Sequence, residues 1–430
     1  FFFSRSRRFA ARGWRRRTPE HMGPWRAAVV MALAWPHAAA LRAGRAASSR
    51  GMRMASSRVN EVRDAMQYRT LGDSDLKVSH VCLGTMTWGN QNTFEEAAEQ
   101  LDAAMEYGVN FIDTAEMYPV PTTAETQGRT DLAIAQWLKS RKGIRDELVL
   151  ATKVSGCSDR ITWVRDHGRG TRLTRDDIVE SVDKSLKRLE VDHVDLLQLH
   201  WPDRYVPIFG QDGYDPTMER EAVPIEEQLR GLEEVIKAGK VRYVGLSNET
   251  PWGVAQFVNA AEKYGLPKVV SIQNCYSLLF RTDYDNGLAE ACAPTNANVP
   301  LLAYSPLAGG VLSGKYRSGL ENAPDNCRLK VFGGFMSRYL SPHCSAAVNE
   351  YAAVAEAEGV TLTELALSWC YNRKTVGSSI IGATSMPQLR ENMEALLVEL
   401  SPEALRRIED VHQRYRDASR YVPMEETASS

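Results

Sequence analysis

The sequence predicts an α/β protein with the architecture of a (β/α)₈ TIM barrel, and two observations lead to this prediction. First, eight short apolar or β-branched segments alternate with segments of helical periodicity, as expected of strand–helix units. Second, ionisable residues stand at the ends of three successive segments, and barrels of this type carry their functional site at the carboxyl ends of the strands. A doubly wound sheet is the alternative, but no Gly-x-Gly-x-x-Gly motif follows the first predicted strand. The eight predicted strands are Val81–Leu83, Asn110–Asp113, Leu148–Thr152, Val194–His200, Val241–Ser247, Val269–Gln273, Pro300–Tyr304 and Ser378–Ile381.

The helical pattern is clearest in Phe94–Tyr107 and Asp177–Leu189, where apolar residues recur every three or four positions and define one buried face. Thr174 precedes the acids Asp176 and Asp177, and a threonine ahead of acids in a first turn is typical of a helix N-cap. The second of these helices is therefore expected to begin just after Thr174.

Two connections after predicted strands are long, Ser155–Leu173 after the third strand and Trp201–Pro224 after the fourth. Loops of this length usually carry function, and in a barrel they would wall a substrate pocket. Their aromatic residues either line such a pocket or pack within the loops, and both alternatives stay open. These residues are Trp163, Trp201, Tyr205, Phe209 and Tyr214.

The N-terminal stretch differs from the rest of the chain in charge. Residues 1–60 hold 13 Arg, no Lys and a single acid, Glu20, whereas the whole chain has a net charge of -2. An Arg-, Ala- and Ser-rich leader that is poor in acids is typical of a cleaved transit segment. The alternative is an untranslated artefact of an over-extended gene model, since the sequence begins with Phe rather than Met.

Three regions are expected: a basic leader at 1–65, disordered or cleaved; one barrel domain at 66–421; and a tail at 422–430. The leader contains no periodic apolar face, so it is expected to be dispensable for folding. If it is a genuine transit peptide, the protein is expected in an organelle, a chloroplast or a mitochondrion, and otherwise in the cytoplasm.

Composition argues against several kinds of partner. The acidic body lacks the clustered Lys and Arg that contact phosphates, so no nucleic-acid partner is expected. The apolar run Ala27–Leu41 is interrupted by Pro36 and is too short to cross a bilayer, so no membrane partner is expected. The seven cysteines are scattered and form no Cys-x-x-Cys motif, which indicates reduced thiols and no metal site.

Four residues near predicted strand ends form a candidate catalytic set. Asp113 ends the second strand, Tyr118 lies on the loop beyond it, Lys153 stands at the edge of the third strand and His200 ends the fourth. Each residue alone has an ordinary structural explanation, such as a helix cap or a solvated strand end. Their arrival at three successive strand ends of one barrel indicates a shared site.

The chemistry available to this set is the transfer of a proton to a carbonyl oxygen. A phenol has an unperturbed pKa of ~10, so it donates protons slowly at neutral pH. The Lys153 ammonium would stabilise the phenolate and lower the pKa of Tyr118, and Asp113 would hold that ammonium in place. His200 could donate a hydrogen bond to the same oxygen as negative charge develops on it. Because the set has no nucleophile and no metal site, it needs a cofactor that supplies the reducing equivalent.

The segment Gly309–Tyr316 fits the Gly-x₄-Gly-Lys pattern of a phosphate-binding P-loop. It places Tyr316 where a P-loop requires Ser or Thr to bind magnesium, so a Walker-type ATPase is disfavoured. The same glycines still suit the phosphates of a dinucleotide.

Several further motifs are spread over the chain from about Met66 to about Tyr421, and none of them is specific alone. They are Tyr68–Gly72, Leu83–Gly89, Asp113–Tyr118, Leu199–Asp203, Gly245–Asn248, Ile272–Ser277, Tyr304–Gly310 and Ile381–Ser385. Taken together, these motifs resemble the aldo-keto reductases, most closely the Tas-like group.

The resemblance implies a barrel that binds a nicotinamide cofactor, and it assigns residues to each part of the site. The family's catalytic tetrad falls on Asp113, Tyr118, Lys153 and His200. The implied contacts to the nicotinamide amide are Ser247, Asn248 and Gln273, with Tyr304 stacking on the ring. Thr85 and Met86 are implied to be further cofactor contacts. The implied pyrophosphate strap is Ser305–Lys315, with Leu307, Ala308 and Gly309 giving close backbone approach. The implied adenosine contacts are Gly382, Thr384, Gln388, Glu391 and Asn392, with Arg328 as a further candidate.

The expected function is therefore the NADPH-dependent reduction of a small aldehyde or ketone, with Tyr118 as proton donor. NADPH is expected to be preferred over NADH because Thr384–Arg390 offers hydroxyls and a guanidinium at a helix start, which suits a 2′-phosphate. The alternative is an NADP(H)-sensing regulatory subunit of the potassium-channel β-subunit type, although all four tetrad positions are filled. A metal-dependent barrel hydrolase is disfavoured for want of clustered ligands.

Overall fold

Eight parallel strands close into a barrel in the computed structural model, which describes residues 57–211, 213–334 and 336–420. The strands follow one another around the barrel in chain order, and the last one closes against the first. Helices surround the barrel, so the predicted (β/α)₈ fold is confirmed, and all eight predicted strands are present. The barrel strands are β3 (Val81–Gly84), β4 (Phe111–Asp113), β5 (Val149–Val154), β6 (Val194–Leu199), β7 (Val241–Ser247), β8 (Val269–Cys275), β9 (Leu301–Tyr304) and β10 (Val376–Ile381).

The register of the strands brings the candidate catalytic residues to one end of the barrel. Asp113 of β4 pairs with Ala151 of β5, and Lys153 of β5 pairs with Gln198 of β6. His200 follows the end of β6, and its backbone N–H donates to Val154 O at 2.8 Å. These residues therefore lie together at the carboxyl ends of their strands, where the sequence pattern placed them.

A short antiparallel hairpin precedes the barrel and was not among the predicted strands. It consists of β1 (Tyr68–Thr70) and β2 (Lys77–Ser79). Leu71, Leu76 and Val78 from the hairpin are fully or almost fully buried in one cluster with residues that line the inside of the barrel. Each strand has three residues, which is too short for a period of two to be recognised.

Helices cover the outside of the barrel and bury an apolar face against the strands. The helix at Phe94 begins with a capping box between Thr93 and Glu96. Thr174 caps the helix at Arg175 by accepting from the Asp177 N–H, as predicted. The helices are α1 (residues 57–65), α2 (Phe94–Glu106), α3 (Arg129–Ser140), α4 (Arg175–Leu189), α5 (Ile225–Lys237), α6 (Pro251–Tyr264), α7 (Ala289–Cys292), α8 (Arg328–Val331), α9 (Pro342–Glu358), α10 (Leu362–Tyr371), α11 (Met386–Glu394) and α12 (Pro402–Arg414).

The packed domain begins upstream of the expected boundary at Met66. Residues 57–65 form α1, and its Val62 is completely buried in the core formed by the barrel and its helices. Val59 packs against the same core, and Arg58 Nε lies 3.7 Å from Glu394 of α11. Two valines three positions apart are too few to register as an amphipathic pattern, which is why the sequence did not reveal this helix. The rest of the expected leader, residues 1–56, and the expected tail lie outside the described residues.

Within the described residues, no helix combines the length and the apolar content needed to cross a membrane. The two long connections carry little regular structure. Residues 155–173 contain one isolated bridge, between Ser158 and Thr171. The described part of residues 201–224, which leaves out residue 212, contains one short helical turn at Pro216–Met218. Both connections follow strand ends, so they border the same end of the barrel as the candidate site.

Candidate active site

The four candidate catalytic side chains meet in one buried group. Lys153 Nζ lies 2.5 Å from Asp113 Oδ2 and 3.3 Å from Tyr118 Oη, and it also donates to Thr114 O at 2.8 Å. The rings of Tyr118 and His200 contact edge to face, with their centres 5.8 Å apart. Each of the four is at most 8% exposed. The Tyr118 side chain therefore contacts both an ammonium and an imidazole.

The Asp113 carboxylate is satisfied by donors from three other strands. Besides Lys153, it accepts from Gln198 Nε2 at 3.0 Å and from Gln273 Nε2 at 2.9 Å, both at Oδ1. Gln273 Nε2 also donates to Gln198 Oε1 at 3.0 Å. Gln198 was not among the predicted site residues. Its only signal was a glutamine within the apolar strand Val194–Leu199, where an amide needs a buried partner.

Charges and burial shift the pKa values of the group in different directions. Burial alone would lower the pKa of Lys153, but the charges and hydrogen bonds of Asp113 and Tyr118 outweigh it and raise that pKa, so the ammonium stays protonated. Burial lowers the pKa of His200 well below its usual value, and the Lys153 charge lowers it further, so the ring is neutral.

The expected lowering of the Tyr118 pKa is wrong in its net direction. Burial of the phenol is the largest influence and raises the pKa of Tyr118 above its usual value, while the Lys153 charge acts in the opposite direction. The expectation considered the ammonium and left out the loss of hydration around the phenolate. Tyr118 consequently carries its proton at neutral pH.

A cavity of about 1020 Å³ opens at this end of the barrel and contains most of the candidate cofactor residues. Tyr118, Asp113 and His200 line it, while Lys153 and Ala308 do not and are completely buried behind its surface. The other predicted residues that line the cavity are Thr85, Met86, Ser247, Asn248, Gln273, Tyr304, Ser305, Leu307, Gly309, Lys315, Arg328, Gly382, Thr384, Gln388, Glu391 and Asn392.

The residues expected around a nicotinamide ring form a connected polar edge of the cavity. Ser247 Oγ donates to Gln273 O at 2.8 Å, and Tyr304 Oη donates to Asn248 Oδ1 at 2.7 Å. Asn248 Nδ2 donates to His200 O at 2.8 Å, which ties this edge to the catalytic group. Asn248 has a φ of 54°, a conformation that asparagine tolerates better than most residues. The amides and the Tyr304 ring are therefore held in fixed positions beside Tyr118.

The expected phosphate strap provides cations and close backbone approach. Gly309 and Gly310 have positive φ, and a Cβ at either would come within 3.0 Å of Met336 Sδ or Lys315 Nζ. Among the described residues, Lys315 and Arg328 have no carboxylate partner, although both line the cavity. Burial lowers the pKa of each, as expected for cations without a counter-ion. This part of the cavity therefore fits a group that carries several negative charges.

The expected adenosine contacts lie around the start of α11. Thr384 N–H and Oγ1 both donate to Gln388 Oε1, at 3.0 and 3.1 Å, and Asn392 Nδ2 donates to Gly382 O at 3.3 Å. Arg390 is exposed and does not line the cavity. Lys315 and Arg328 do line the cavity, and neither has a carboxylate partner among the residues that the structure describes.

Three of the five loop aromatics face the cavity. Trp201, Tyr205 and Phe209 line it, whereas Trp163 and Tyr214 do not. Among the described residues, no group of three or more His, Cys, Asp or Glu side chains could hold a metal ion. All seven cysteines are free.

Comparison with known proteins agrees with this architecture. The model of the Aldo/keto reductase family matches residues 80–413. The chain is 43% identical over 354 residues to "Protein tas" of Escherichia coli (strain K12), which covers 81% of this chain and 99% of that protein. It is 38% identical over 284 residues to "Aldo-keto reductase" of Babesia bovis, covering 64% of this chain and 99% of that protein. It is also 33% identical over 351 residues to "Probable voltage-gated potassium channel subunit beta" of Arabidopsis thaliana, covering 81% and 97%.

Proteins of this family are oxidoreductases that generally use NAD(P)H and act on small-molecule carbonyl compounds. The described barrel, the matched residues and the near-complete coverage of these relatives agree with one another. The chain belongs to the aldo/keto reductase family and, within it, to the Tas-like group.

Proposed function

We propose that the protein reduces an aldehyde or ketone to an alcohol, with NADPH as the hydride donor and Tyr118 as the proton donor. The observation that carries this proposal is the position of the Tyr118 hydroxyl. It lies 3.3 Å from Lys153 Nζ, in a cavity also lined by Lys315 and Arg328, which have no carboxylate partner in the part of the chain that the structure describes. The cavity thus offers both a proton for a carbonyl oxygen and counter-charges for phosphates.

The catalytic side chains have separate tasks in this proposal. NADPH, when bound, supplies a hydride to the carbonyl carbon. Tyr118 gives its proton to the carbonyl oxygen, so that the product is an alcohol, and Lys153 stabilises the phenolate that remains. Because the pKa of His200 is lowered, its ring is neutral and can donate a hydrogen bond to the same oxygen without charge repulsion from Lys153. Asp113 keeps the ammonium in place and protonated.

The remaining cavity residues fit the two ends of a dinucleotide. Ser247, Asn248 and Gln273 would hold the carboxamide, and Tyr304 would stack on the nicotinamide ring. The glycine turn at Gly309 and Gly310 leaves room for phosphate oxygens, and Lys315 and Arg328 would neutralise them. In this arrangement Lys315 and Arg328, which are partly buried, gain counter-ions that no described residue provides.

The second candidate function is a cofactor-sensing regulatory subunit. It is favoured by the 33% identity to a protein named as a probable potassium channel β-subunit. The reductase proposal is preferred because the four side chains needed for proton transfer are in contact, which a sensor does not require.

Turnover separates the two functions. The purified protein, incubated with NADPH and a panel of aldehydes and ketones, is expected to oxidise NADPH in a substrate-dependent way, as measured by the absorbance of NADPH. Tight NADPH binding without oxidation by any member of the panel would contradict the reductase proposal and favour the sensor.

A further inference from the structure

Glu116 lies within the turn that carries Tyr118, and its side chain is almost completely buried. The Tyr118 N–H donates to Ala115 O at 3.0 Å, which places Glu116 and Met117 at the centre of a four-residue turn. The Glu116 carboxylate is 2% exposed and accepts four hydrogen bonds. The donors are Ser155 N at 2.6 Å, Ser181 Oγ at 2.6 Å, Arg165 Nη1 at 2.7 Å and Arg165 Nη2 at 3.0 Å.

Glu116 also forms hydrogen bonds with the backbone on both sides of Val154, the last residue of β5. Its backbone N–H donates to Lys153 O at 3.2 Å, and its carboxylate accepts from the Ser155 N–H. The segment that carries Tyr118 is thereby fixed to the segment that carries Lys153 by two hydrogen bonds in opposite directions. One of them depends on the charged side chain.

The partner Arg165 belongs to the long connection at 155–173, and its side chain is fully buried. Cys157, Ser158 and Ile161 of this connection line the cavity near Tyr118. Separating a buried charge pair is energetically costly, because it leaves an unpaired charge in the protein interior. The pair therefore couples the position of a cavity wall to the position of the catalytic turn.

We propose that Glu116 is a positioning residue. Through Ser155 and Arg165 it holds the Tyr118 hydroxyl within hydrogen-bond distance of Lys153 Nζ and in register with the wall of the substrate cavity. This inference rests on the proposed reductase function.

The proposal has a signature that a purely structural role lacks. The charged groups that act on the Tyr118 phenol are Lys153, Asp113 and Arg328, and the adjacent His200 is neutral. If the turn shifts, the phenol moves away from Lys153, and the ammonium stabilises the phenolate less. The pKa of Tyr118 then rises, so the loss of reductase activity at alkaline pH moves to higher pH.

The test compares Glu116→Gln with Asp195→Asn as a matched control. Asp195 is likewise buried and pairs with Arg145 and Arg242. It also accepts a hydrogen bond from the backbone N–H of Leu150 in β5, and it does not line the cavity. For Glu116→Gln we expect kcat to fall about 10- to 100-fold, a typical effect of misplacing a reacting group by ~1 Å. The alkaline limb of the profile of kcat against pH should move to higher pH, while the Kd for NADPH stays within about threefold of that of the unmodified protein. Asp195→Asn should reduce thermal stability and leave the limb in place.

The inference would be overturned if the alkaline limb for Glu116→Gln stays at the same pH as in the unmodified protein. This holds whether kcat falls by the same factor at every pH or does not fall at all, and the reductase function would still stand. If Glu116→Gln does not fold, Arg165→Lys and Ser181→Ala are judged by the same displacement of the limb, since each weakens the carboxylate's anchoring without removing its charge. An unmodified protein that fails to turn over any carbonyl compound contradicts the proposed function and this inference together.

Discussion

Lys153 connects the electrostatics of the site to its chemistry. It is completely buried, yet all three of its N–H donors have acceptors, in Asp113, Thr114 and Tyr118. Full satisfaction is what allows a charge to remain in the interior, where an unpaired ammonium would lose its proton. Burial raises the pKa of Tyr118 and keeps the phenol protonated, whereas the Lys153 ammonium acts in the opposite direction. The ammonium therefore helps the phenol to release its proton to a substrate oxygen.

Lys315 and Arg328 lead to a prediction about cofactor binding. Lys315→Met should weaken NADPH binding roughly 10- to 100-fold in a fluorescence-quench titration, because a charge-assisted hydrogen bond contributes about 1.5–3 kcal/mol. Lys330→Met removes a lysine that pairs with Asp325 outside the cavity, and it should leave the affinity unchanged. An affinity of Lys315→Met for NADPH within about threefold of that of the unmodified protein would contradict the prediction.

Helix α1 leads to a prediction about the extent of the folded domain. Val62→Ala removes two buried methyl groups from the core, so it should lower the free energy of unfolding by about 1–3 kcal/mol. Asp64→Ala, at an exposed position of the same helix, is the control. A chain that begins at Met66 should melt at a lower temperature than one that begins at Ser57. Identical melting temperatures for these two chains would show that α1 does not contribute to the fold.

The sequence predicted the barrel strands and their ends because buried parallel strands give uninterrupted apolar runs, and a polar residue at the end of such a run is conspicuous. Asp113, Lys153 and His200 were recognised in this way. Gln198 and Glu116 were not, because their importance depends on partners from distant segments, such as Gln273 and Arg165. The hairpin and α1 were missed because they are too short for periodicity, and their burial depends on the closed barrel.

At the scale of the whole molecule, histidines that are buried in the neutral form make the free energy of unfolding depend on pH. Burial lowers the pKa of His80 to about 4, while its usual value is 6.5. As pH falls below 6.5 the unfolded chain gains a proton that the folded protein does not accept, so stability is lost from about pH 6.5 down to about pH 4. For His80 alone, the loss between pH 7 and pH 5 is about 2 kcal/mol.

Replacing His80 tests whether its pKa is low in the folded protein. In His80→Gln the decrease in melting temperature between pH 7 and pH 5 should be smaller than in the unmodified protein, because one group no longer differs in proton uptake between the two states. Buried carboxylates such as Glu116, whose pKa is lowered below 4.5, lose their contribution only at lower pH. The same decrease in both proteins would contradict the low pKa of His80.

Proton donation by Tyr118 is the central claim, and single-turnover oxidation of bound NADPH by 4-nitrobenzaldehyde tests it most directly. Tyr118→Phe keeps the ring and its packing but removes the hydroxyl. Tyr351→Phe is the control, since it removes a buried hydroxyl that donates to Leu278 O at 3.0 Å, away from the cavity. The rate for Tyr118→Phe should fall about 10²- to 10⁴-fold, the usual contribution of general acid catalysis, with the Kd for NADPH nearly unchanged. Tyr351→Phe should react as fast as the unmodified protein. A rate for Tyr118→Phe within about threefold of the unmodified protein would contradict the claim, because no general acid contributes so little.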